Sequence, residues 1–232
     1  MKTHVNRETL RQHWHYSKMK YFVMIILIAV IWDLIYTTTA YRPPTEKRCD
    51  FFVSSSTGNQ EMLNAYLEYV RQNDLPQMEQ MTSAFFTTDD YYAAAQIVTY
   101  VAAGEGTVFM LPAATFQNYA AGETFIQLDE YTELIENCES LGISVDRGWR
   151  TVTETGERHL FGIPASTLTG LKEFNISVDD MYLCVPGAHG NDDVAVQFIQ
   201  ILIRDMMPGA ENITITPVFE EGEEISDAAP AA

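Results

Sequence analysis

The feature that most constrains this chain is a helix–strand–helix pattern in residues 90–128. The segment Tyr91–Ala103 has the length and apolar content of a helix, and a Gly-Glu-Gly break ends it. A short buried strand is predicted over Thr107–Leu111, stopped by Pro112, and a second helix over Ala114–Ala121. Helices and strands in close alternation build an α/β layer. The pattern therefore predicts a domain whose strand ends carry loops able to bind a ligand.

The same alternation continues on both sides of this segment. It predicts a single three-layer α/β domain with a mixed, mostly parallel sheet, preceded by one transmembrane helix. A Gly-broken loop or hairpin containing Trp149 is expected over Leu141–Thr155. The other predicted strands are Phe51–Ser54, Met81–Thr87, Arg158–Pro164 and Met181–Val185. The other predicted helices are one that is capped by Asn59 and runs to about Gln72, one over Tyr131–Ser140 and one over Asp193–Met206.

An apolar segment near the N-terminus indicates a membrane. Tyr21–Trp32 is uninterrupted and apolar, and after Asp33 it resumes for three residues. Twelve residues alone suit a signal-peptide core, whereas about 17 to 20 are needed to span a bilayer. Thr38-Thr39-Ala40 resembles a cleavage site, so a retained anchor and a removed signal both remain open. The basic flank before the segment places the N-terminus in the cytoplasm and the rest outside, a single-pass arrangement.

Composition along the chain suggests five regions. Residues 1–20 carry a net charge of +4, whereas residues 41–232 carry −21. The C-terminal acidic sequence has too few apolar residues to pack and is expected to be disordered. The predicted regions are a cytoplasmic basic tail (1–20), a transmembrane anchor (21–37), a linker (38–49), an extracellular α/β domain (50–210) and an acidic disordered tail (211–232).

The net charge of −18 excludes one class of partner. A surface with this much negative charge repels phosphate backbones, and nucleic acid is therefore not an expected partner. Solubility outside the cell is the simplest reason for the acidity.

No motif for a metal or cofactor is apparent. Cys49, Cys138 and Cys184 lie far apart with no C-x-x-C pair, which argues against zinc, and no calcium-binding EF-hand spacing occurs. One disulfide with one free thiol is an open alternative outside the cell, although Cys138 and Cys184 have the surroundings of buried small hydrophobes. We expect neither a metal nor a cofactor.

The motifs of common enzymes are also missing from the sequence. Gly104-Glu105-Gly106 follows a helix and precedes a strand, the reverse of a phosphate-binding loop, so helix termination explains it. His159 lies in a strand pattern and suits a structural role, whereas His189 lies in a polar turn and suits a loop or, less readily, a ligand contact. Because no nucleophile–base pair is visible, the chain is not expected to be an enzyme.

The order of these segments resembles a known family. AAAQIVTYVAAGEGTVFMLP followed by TFQNYAAGETFIQLDEY is similar to the first lobe of the extracellular solute-binding proteins of ABC importers. RHLFGIP at 158–164 resembles that family's strand toward the hinge, and DVAVQFIQILIRDM at 193–206 resembles its helix that packs back on the first lobe. The resemblance covers about residues 50–206.

The resemblance implies a shortened member of that family. Only Ala165–Asp180, about 16 residues, lies where the family has a second lobe. We therefore expect a one-lobe derivative tethered to the outer face of a Gram-positive-type membrane. The closure that traps solute in this family needs two lobes.

A small solute such as a sugar or peptide is expected at the carboxyl ends of the first three strands, over helix N-termini. The expected function is a non-catalytic, membrane-anchored extracellular binding or accessory domain. The alternative is a protein-interaction ectodomain that docks a membrane partner without binding a small solute. The candidate ligand-binding residues are Ser55, Ser56, Thr57 and Asn59 after the first strand, Thr88 and Asp89 after the second, Thr115 and Phe116 after the third, and Trp149, which offers a ring for sugar stacking.

Overall fold

The protein is described here by a computed structural model. It describes residues 7–39, 41, 43–86, 91–187 and 190–209, with only the backbone for 7–17 and 91–94. The chain divides into two compact units, Met1–Arg42 and Pro43–Ala232, and each is considered by itself. Predictions about Thr88, Asp89, His189 and the tail 211–232 lie outside the described residues.

The first unit contains helix α1 (Arg7–Thr39). Its segment Lys18–Thr39 is 22 residues long and, by length and composition, apolar enough to cross a membrane, with none of its surface buried within the structure. The helix begins at Arg7, so the sequence predicted as a basic tail is largely helical. In its last turn, Thr37, Thr38 and Thr39 donate side-chain hydrogen bonds to carbonyls three or four residues earlier.

The second unit is built on a mixed, mostly parallel sheet of five strands in the order β2-β1-β3-β7-β6. Strand β1 pairs in parallel with β2 and with β3, whereas β7 runs antiparallel to β3 and β6. A separate hairpin consists of β4 and β5. The strands are β1 (Arg48–Ser54), β2 (Gln80–Phe86), β3 (Val108–Pro112), β4 (Trp149–Thr151), β5 (Arg158–Leu160), β6 (Ile163–Pro164) and β7 (Met181–Cys184).

Both faces of the sheet are buried, because alternate residues of each strand enter different cores. In β1, Phe51 and Val53 enter one hydrophobic cluster and Phe52 the other, and β3 and β7 alternate in the same way. Residues of α2, α5 and α6 pack in the first cluster, and residues of α3 and α4 in the second. This is the three-layer α/β class predicted from the sequence. The helices are α2 (Gln60–Asn73), α3 (Tyr91–Ala103), α4 (Ala113–Ala120), α5 (Thr132–Ser140) and α6 (Asp192–Met206).

Most predicted helices and strands occur within a few residues of their expected bounds. Asn59 caps α2, as predicted, by accepting a hydrogen bond from the Met62 amide. Strand β1 begins at Arg48, earlier than expected. Pro112 is the last residue of β3 and does not stop the strand before it.

The prediction of one strand over Arg158–Pro164 was wrong. The segment forms two short strands, β5 and β6, which pair with different partners. Gly162 lies between the two strands. A Cβ on this residue would lie 2.6 Å from the Phe116 ring and 3.2 Å from the Leu183 carbonyl oxygen. The chain changes sheet at this close contact, which a one-dimensional apolar pattern does not reveal.

All three cysteines are buried and free, so none forms the disulfide left open from the sequence. Burial raises the pKa of the Cys138 thiol to about 11, with a smaller contribution from Glu139. Burial likewise raises the pKa of the thiols of Cys49 and Cys184. These side chains act as small hydrophobic residues, as expected for Cys138 and Cys184.

Candidate functional site

Five strand ends meet at one edge of the sheet. Because β1, β2 and β3 are parallel, they end together, with Ser54 opposite Phe86. Strand β7 begins at this edge, where Met181 pairs with Pro112, and β6 ends there, where Pro164 pairs with Tyr182. In open α/β sheets the ligand site lies outside the carboxyl ends of the strands. This carboxyl edge is therefore the expected position of a ligand site.

The loop after β1 is held by its own polar side chains. The Thr57 hydroxyl donates to the Asn175 carbonyl (3.2 Å), and the Asn175 side chain donates back to the Thr57 carbonyl. Ser55 Oγ accepts from the Thr57 amide (3.3 Å), and Asn59 is occupied as the cap of α2. Ser56 is exposed. Thus Ser55, Thr57 and Asn59, predicted as ligand contacts, make contacts that fix the loop.

Two aromatic candidates also have structural contacts. Phe116 is fully buried and stacks on Tyr182, with ring centroids 4.6 Å apart. Trp149 is partly buried, and the Arg158 guanidinium lies over its ring at 5.8 Å. Thr115, next to Phe116 in the first turn of α4, is partly exposed. Phe116 is therefore a core residue in this conformation, with no surface on which a solute can lie.

A cavity of about 230 Å³ lies at the carboxyl edge beside the ends of β6 and β7. Three segments close it: the turn after α5, the residues that follow β6 and the turn that precedes β7. They bring together both polar and apolar side chains. The lining residues are Gly142, Ile143, Ser144, Arg147, Pro164, Ser166, Thr167, Asp180, Met181 and Tyr182.

The cavity carries one cationic and one anionic side chain. Arg147 and Asp180 are both exposed, and within the described part of the chain neither side chain forms an ion pair or hydrogen bond. Asp180 has a φ of 57°, in the left-handed region that Asp tolerates better than most residues. Its carbonyl accepts a hydrogen bond from the Ala113 amide (2.9 Å), which ties this turn to the start of α4. The two charges thus remain available to a solute.

The hydroxyl of Thr167 is the most unusual atom of the cavity wall. Its Oγ1 is enclosed and has no hydrogen-bond partner among the described residues. An enclosed polar atom without a partner costs about 1–3 kcal/mol, so such atoms usually meet a bound polar group. Together, Arg147, Asp180 and Thr167 give the cavity a cation, an anion and an unpaired hydroxyl.

Sequence reasoning identified this edge of the sheet but not these residues. The predicted site used the ends of the first three strands and omitted the strand that ends at Pro164. The same rule applied to that strand points to Ser166 and Thr167. Arg147 precedes the β4–β5 hairpin and does not follow a strand of the five-stranded sheet, so only the tertiary fold brings it to the cavity. Among the described residues, no group of three His, Cys, Asp or Glu side chains is close enough to hold a metal ion.

A second polar cluster joins the β4–β5 hairpin to the rest of the domain. Nδ1 of His159 lies 2.9 Å from Oδ2 of Asp129, whose other oxygen accepts from the Leu160 amide (3.0 Å). The hydrogen bond with Asp129 raises the pKa of His159, and Glu157 adds a smaller contribution. A carboxylate lies near each nitrogen of this ring, since Nε2 is 3.6 Å from the Glu157 carboxylate and Nδ1 contacts Asp129. The contacts fit the structural role expected for His159.

This cluster predicts a pH dependence of stability. Because the folded-state pKa of His159 is raised above its unfolded value, its contribution is full below the unfolded pKa of about 6.5 and is lost as the pH rises through the folded pKa. We expect wild type to be more stable than His159→Gln at about pH 5.5, with the difference in free energy of unfolding shrinking by about pH 8.5. Urea unfolding at both pH values measures it, and a difference that grows with pH would contradict it.

Comparisons with known proteins return only partial matches. No protein-family model matches the chain, and no curated protein matches it. Several solved structures match about half of it. An extracellular solute-binding protein of family 1 from Alicyclobacillus acidocaldarius is 18% identical over 51% of this chain, with a TM-score of 0.32. An ABC substrate-binding protein from Listeria monocytogenes, in complex with cycloalternan, is 15% identical over 50%, with a TM-score of 0.35.

A third match is a maltose/maltodextrin-binding domain from Bdellovibrio bacteriovorus bound to maltotriose, 16% identical over 51% of this chain with a TM-score of 0.35. In each of the three, the matched region is 28% of the other chain's length. These three proteins belong to the class that the sequence pattern resembles, and each matches about half of this chain. Similarity at this level describes part of a fold and carries no statement about ligand or activity.

Proposed function

We propose that this chain is a membrane-anchored extracellular domain that binds a small polar solute without transforming it. The observation that supports this is the 230 Å³ cavity at the carboxyl edge, with Arg147, Asp180 and the unpaired Thr167 hydroxyl in its wall. Drug-sized pockets measure about 300–1,000 Å³. This cavity has room for about seven water molecules at ~30 Å³ each, comparable to one sugar ring or one amino acid.

The proposed location rests on α1 and on the charge around it. Lys18–Thr39 has the length of a membrane span, and the positive charge of residues 1–20 favours a cytoplasmic N-terminus. The α/β domain, whose first strand begins at Arg48, then lies outside the cell, after the span within α1. A Gram-positive-type envelope accommodates such an anchored domain.

A thermal-shift screen of the full-length chain in lipid nanodiscs tests the binding proposal. The probes are single sugars, amino acids, short peptides and divalent ions. A ligand at 100 times its dissociation constant stabilises the folded state by about 2.7 kcal/mol, a shift of several degrees for a domain of this size. Arg147→Gln and Thr167→Val are expected to weaken a bound solute roughly tenfold each, because each removes one polar contact. A screen with no shift would refute the proposal.

Two further variants separate binding from folding. Asp180→Gly removes the carboxylate and places glycine where φ is 57°, so we expect equal or slightly higher stability together with weaker binding. Lys172→Gln is the matched control, since Lys172 is an exposed cation of the 3-10 turn Thr169–Phe174 that does not line the cavity. A hit unaffected by Arg147→Gln, Thr167→Val and Asp180→Gly would place the solute elsewhere.

A further inference from the structure

A long groove runs between α5 and α6, away from the cavity described above. It consists of two adjoining cavities of about 500 Å³ and 480 Å³, and Gln197 and Gln200 of α6 line both. Because these two side chains are shared, the cavities form one continuous channel along α6. We refer to it as the α5–α6 groove, bounded by residues 130–134 at one end and by Leu141 and Met207 at the other.

One end of the groove is acidic. Glu130, Glu133 and Asp193 line it, and all three side chains are exposed. Among the residues that the structure describes, no basic side chain is part of this wall. The pKa of Tyr131, which lies in the same wall, responds to these negative charges. Its pKa is raised by burial first, and then by the carboxylates of Asp192, Asp193 and Glu130. This end is therefore a site for positive charge.

The opposite end is more apolar, and its cation is already paired. Leu141, Ile201 and Met207 provide aliphatic surface there. Arg204, a cation in this wall, is already paired, since its guanidinium lies 2.7 Å from carboxylate oxygens of both Asp74 and Asp205. A ligand at this end meets hydrocarbon beside a guanidinium that is already paired with two carboxylates.

The middle of the groove offers amide groups. Within the part of the chain that the structure describes, neither Gln197 nor Gln200 uses its side-chain amide in a hydrogen bond. An amide both donates and accepts, which matches the alternating groups of an extended backbone. A polypeptide can therefore satisfy all three parts of the groove at once.

We propose that the α5–α6 groove binds an extended segment of another protein that carries Lys or Arg at one end and aliphatic side chains about four residues away. The spacing follows from α6, where Asp193 and Ile201 are eight residues, or about 12 Å, apart along the helix axis. An extended chain covers that distance in about four residues. This surface is distinct from the solute cavity, so the proposal stands independently of the proposed function.

The chain's own C-terminal segment is a less suitable occupant. It leaves the described structure at Gly209, two residues after Met207, so it starts beside the apolar end. Residues 213–219 are uncharged, but Glu220, Glu221, Glu223 and Glu224 follow them. Laid along the groove, the segment brings these carboxylates toward the acidic end, where like charges repel.

The test is selection from a random library of phage-displayed peptides of about twelve residues, long enough to span the groove. The target is the full-length chain in lipid nanodiscs. Recovered peptides are synthesised with a fluorescent label, and their dissociation constants are measured by anisotropy at about 50 mM and about 300 mM salt. We expect a basic residue about four positions from an aliphatic residue, and affinity that falls with salt.

Charge-reversal variants locate the binding. Glu133→Lys, an exposed change at the acidic end, is expected to weaken the peptides roughly tenfold. Glu139→Lys is the matched control on the same helix, since Glu139 is exposed and does not line the groove, and it should change affinity less than twofold. Recovery of no peptide, or of peptides that bind both variants equally, would overturn the proposal.

The tail is tested in the full chain with Ile213→Asp and Ile215→Asp together. If the groove is open to an external segment, these changes leave peptide affinity unchanged, because they alter nothing in the groove. A roughly tenfold gain in affinity would mean that the tail competes for the groove, and this would replace the external partner by the chain's own segment.

Discussion

Replacing Gly148 by alanine is expected to destabilise the α/β domain by at least about 3 kcal/mol, the upper range for overpacking. A Cβ on Gly148 would lie 1.7 Å from the carbonyl oxygen of Gly162 and 2.9 Å from the Leu160 side chain. The obstructing atom belongs to the backbone, so rotation of a side chain cannot relieve the overlap. The Gly148 carbonyl also accepts a hydrogen bond from the Phe161 amide, which the required shift would break.

Chemical unfolding of the purified chain measures this loss. Gly122→Ala is the control, because a Cβ there meets only the Tyr119 carbonyl, at 3.7 Å, and Gly122 is an exposed residue. We expect Gly122→Ala to remain within about 0.5 kcal/mol of wild type. If Gly148→Ala is equally harmless, the close approach of the hairpin to β6 does not exist in solution. The wall of the solute cavity that includes Arg147 would then be arranged differently.

Local patterns were sufficient to predict the central layer. Over Phe51–Val53 of β1, and throughout β3, every residue is apolar, which is typical of strands buried on both faces. Caps and breakers then gave the bounds of α2 and α3 to within one or two residues. These signals act between neighbours in the sequence, so a single chain is enough to read them.

The carboxyl edge follows from strand direction, but its chemistry does not. A parallel arrangement of β1, β2 and β3 places their ends together whatever the side chains are. Which polar groups remain free at that edge depends on partners distant in sequence. Thr57 is paired with Asn175, more than a hundred residues away, whereas the Thr167 hydroxyl finds no partner among the described residues. Both are threonines in polar loops, and only the packed structure distinguishes them.

The burial of Phe116, predicted as a ligand contact, has a related reason. Its position after a strand end, in the first turn of a helix, is shared by ligand contacts and by core residues. The helix α4 turns this side chain inward, where it packs between Tyr182 and Phe125. The apolar period of an eight-residue helix is too short to reveal which face is buried.

Phe116→Ala is accordingly expected to cost about 3–5 kcal/mol, the range for a buried phenylalanine. The ring is fully buried, lies 4.6 Å from the Tyr182 ring and 6.0 Å from the Phe125 ring, and has the Arg150 guanidinium 5.3 Å above it. Removing the ring leaves a cavity in the second hydrophobic cluster and exposes three neighbours that packed against it. Urea unfolding at neutral pH gives the free-energy difference directly.

Gln117→Ala, the neighbouring exposed position on α4, is the control and should stay within about 0.5 kcal/mol of wild type. The pair of variants decides between the two roles of an aromatic residue at a strand end. A core role requires a large loss of stability whether or not a solute is present. A ligand-contact role predicts the opposite, a stable Phe116→Ala that has lost solute binding, and that result would return Phe116 to the binding site and move the site toward β3.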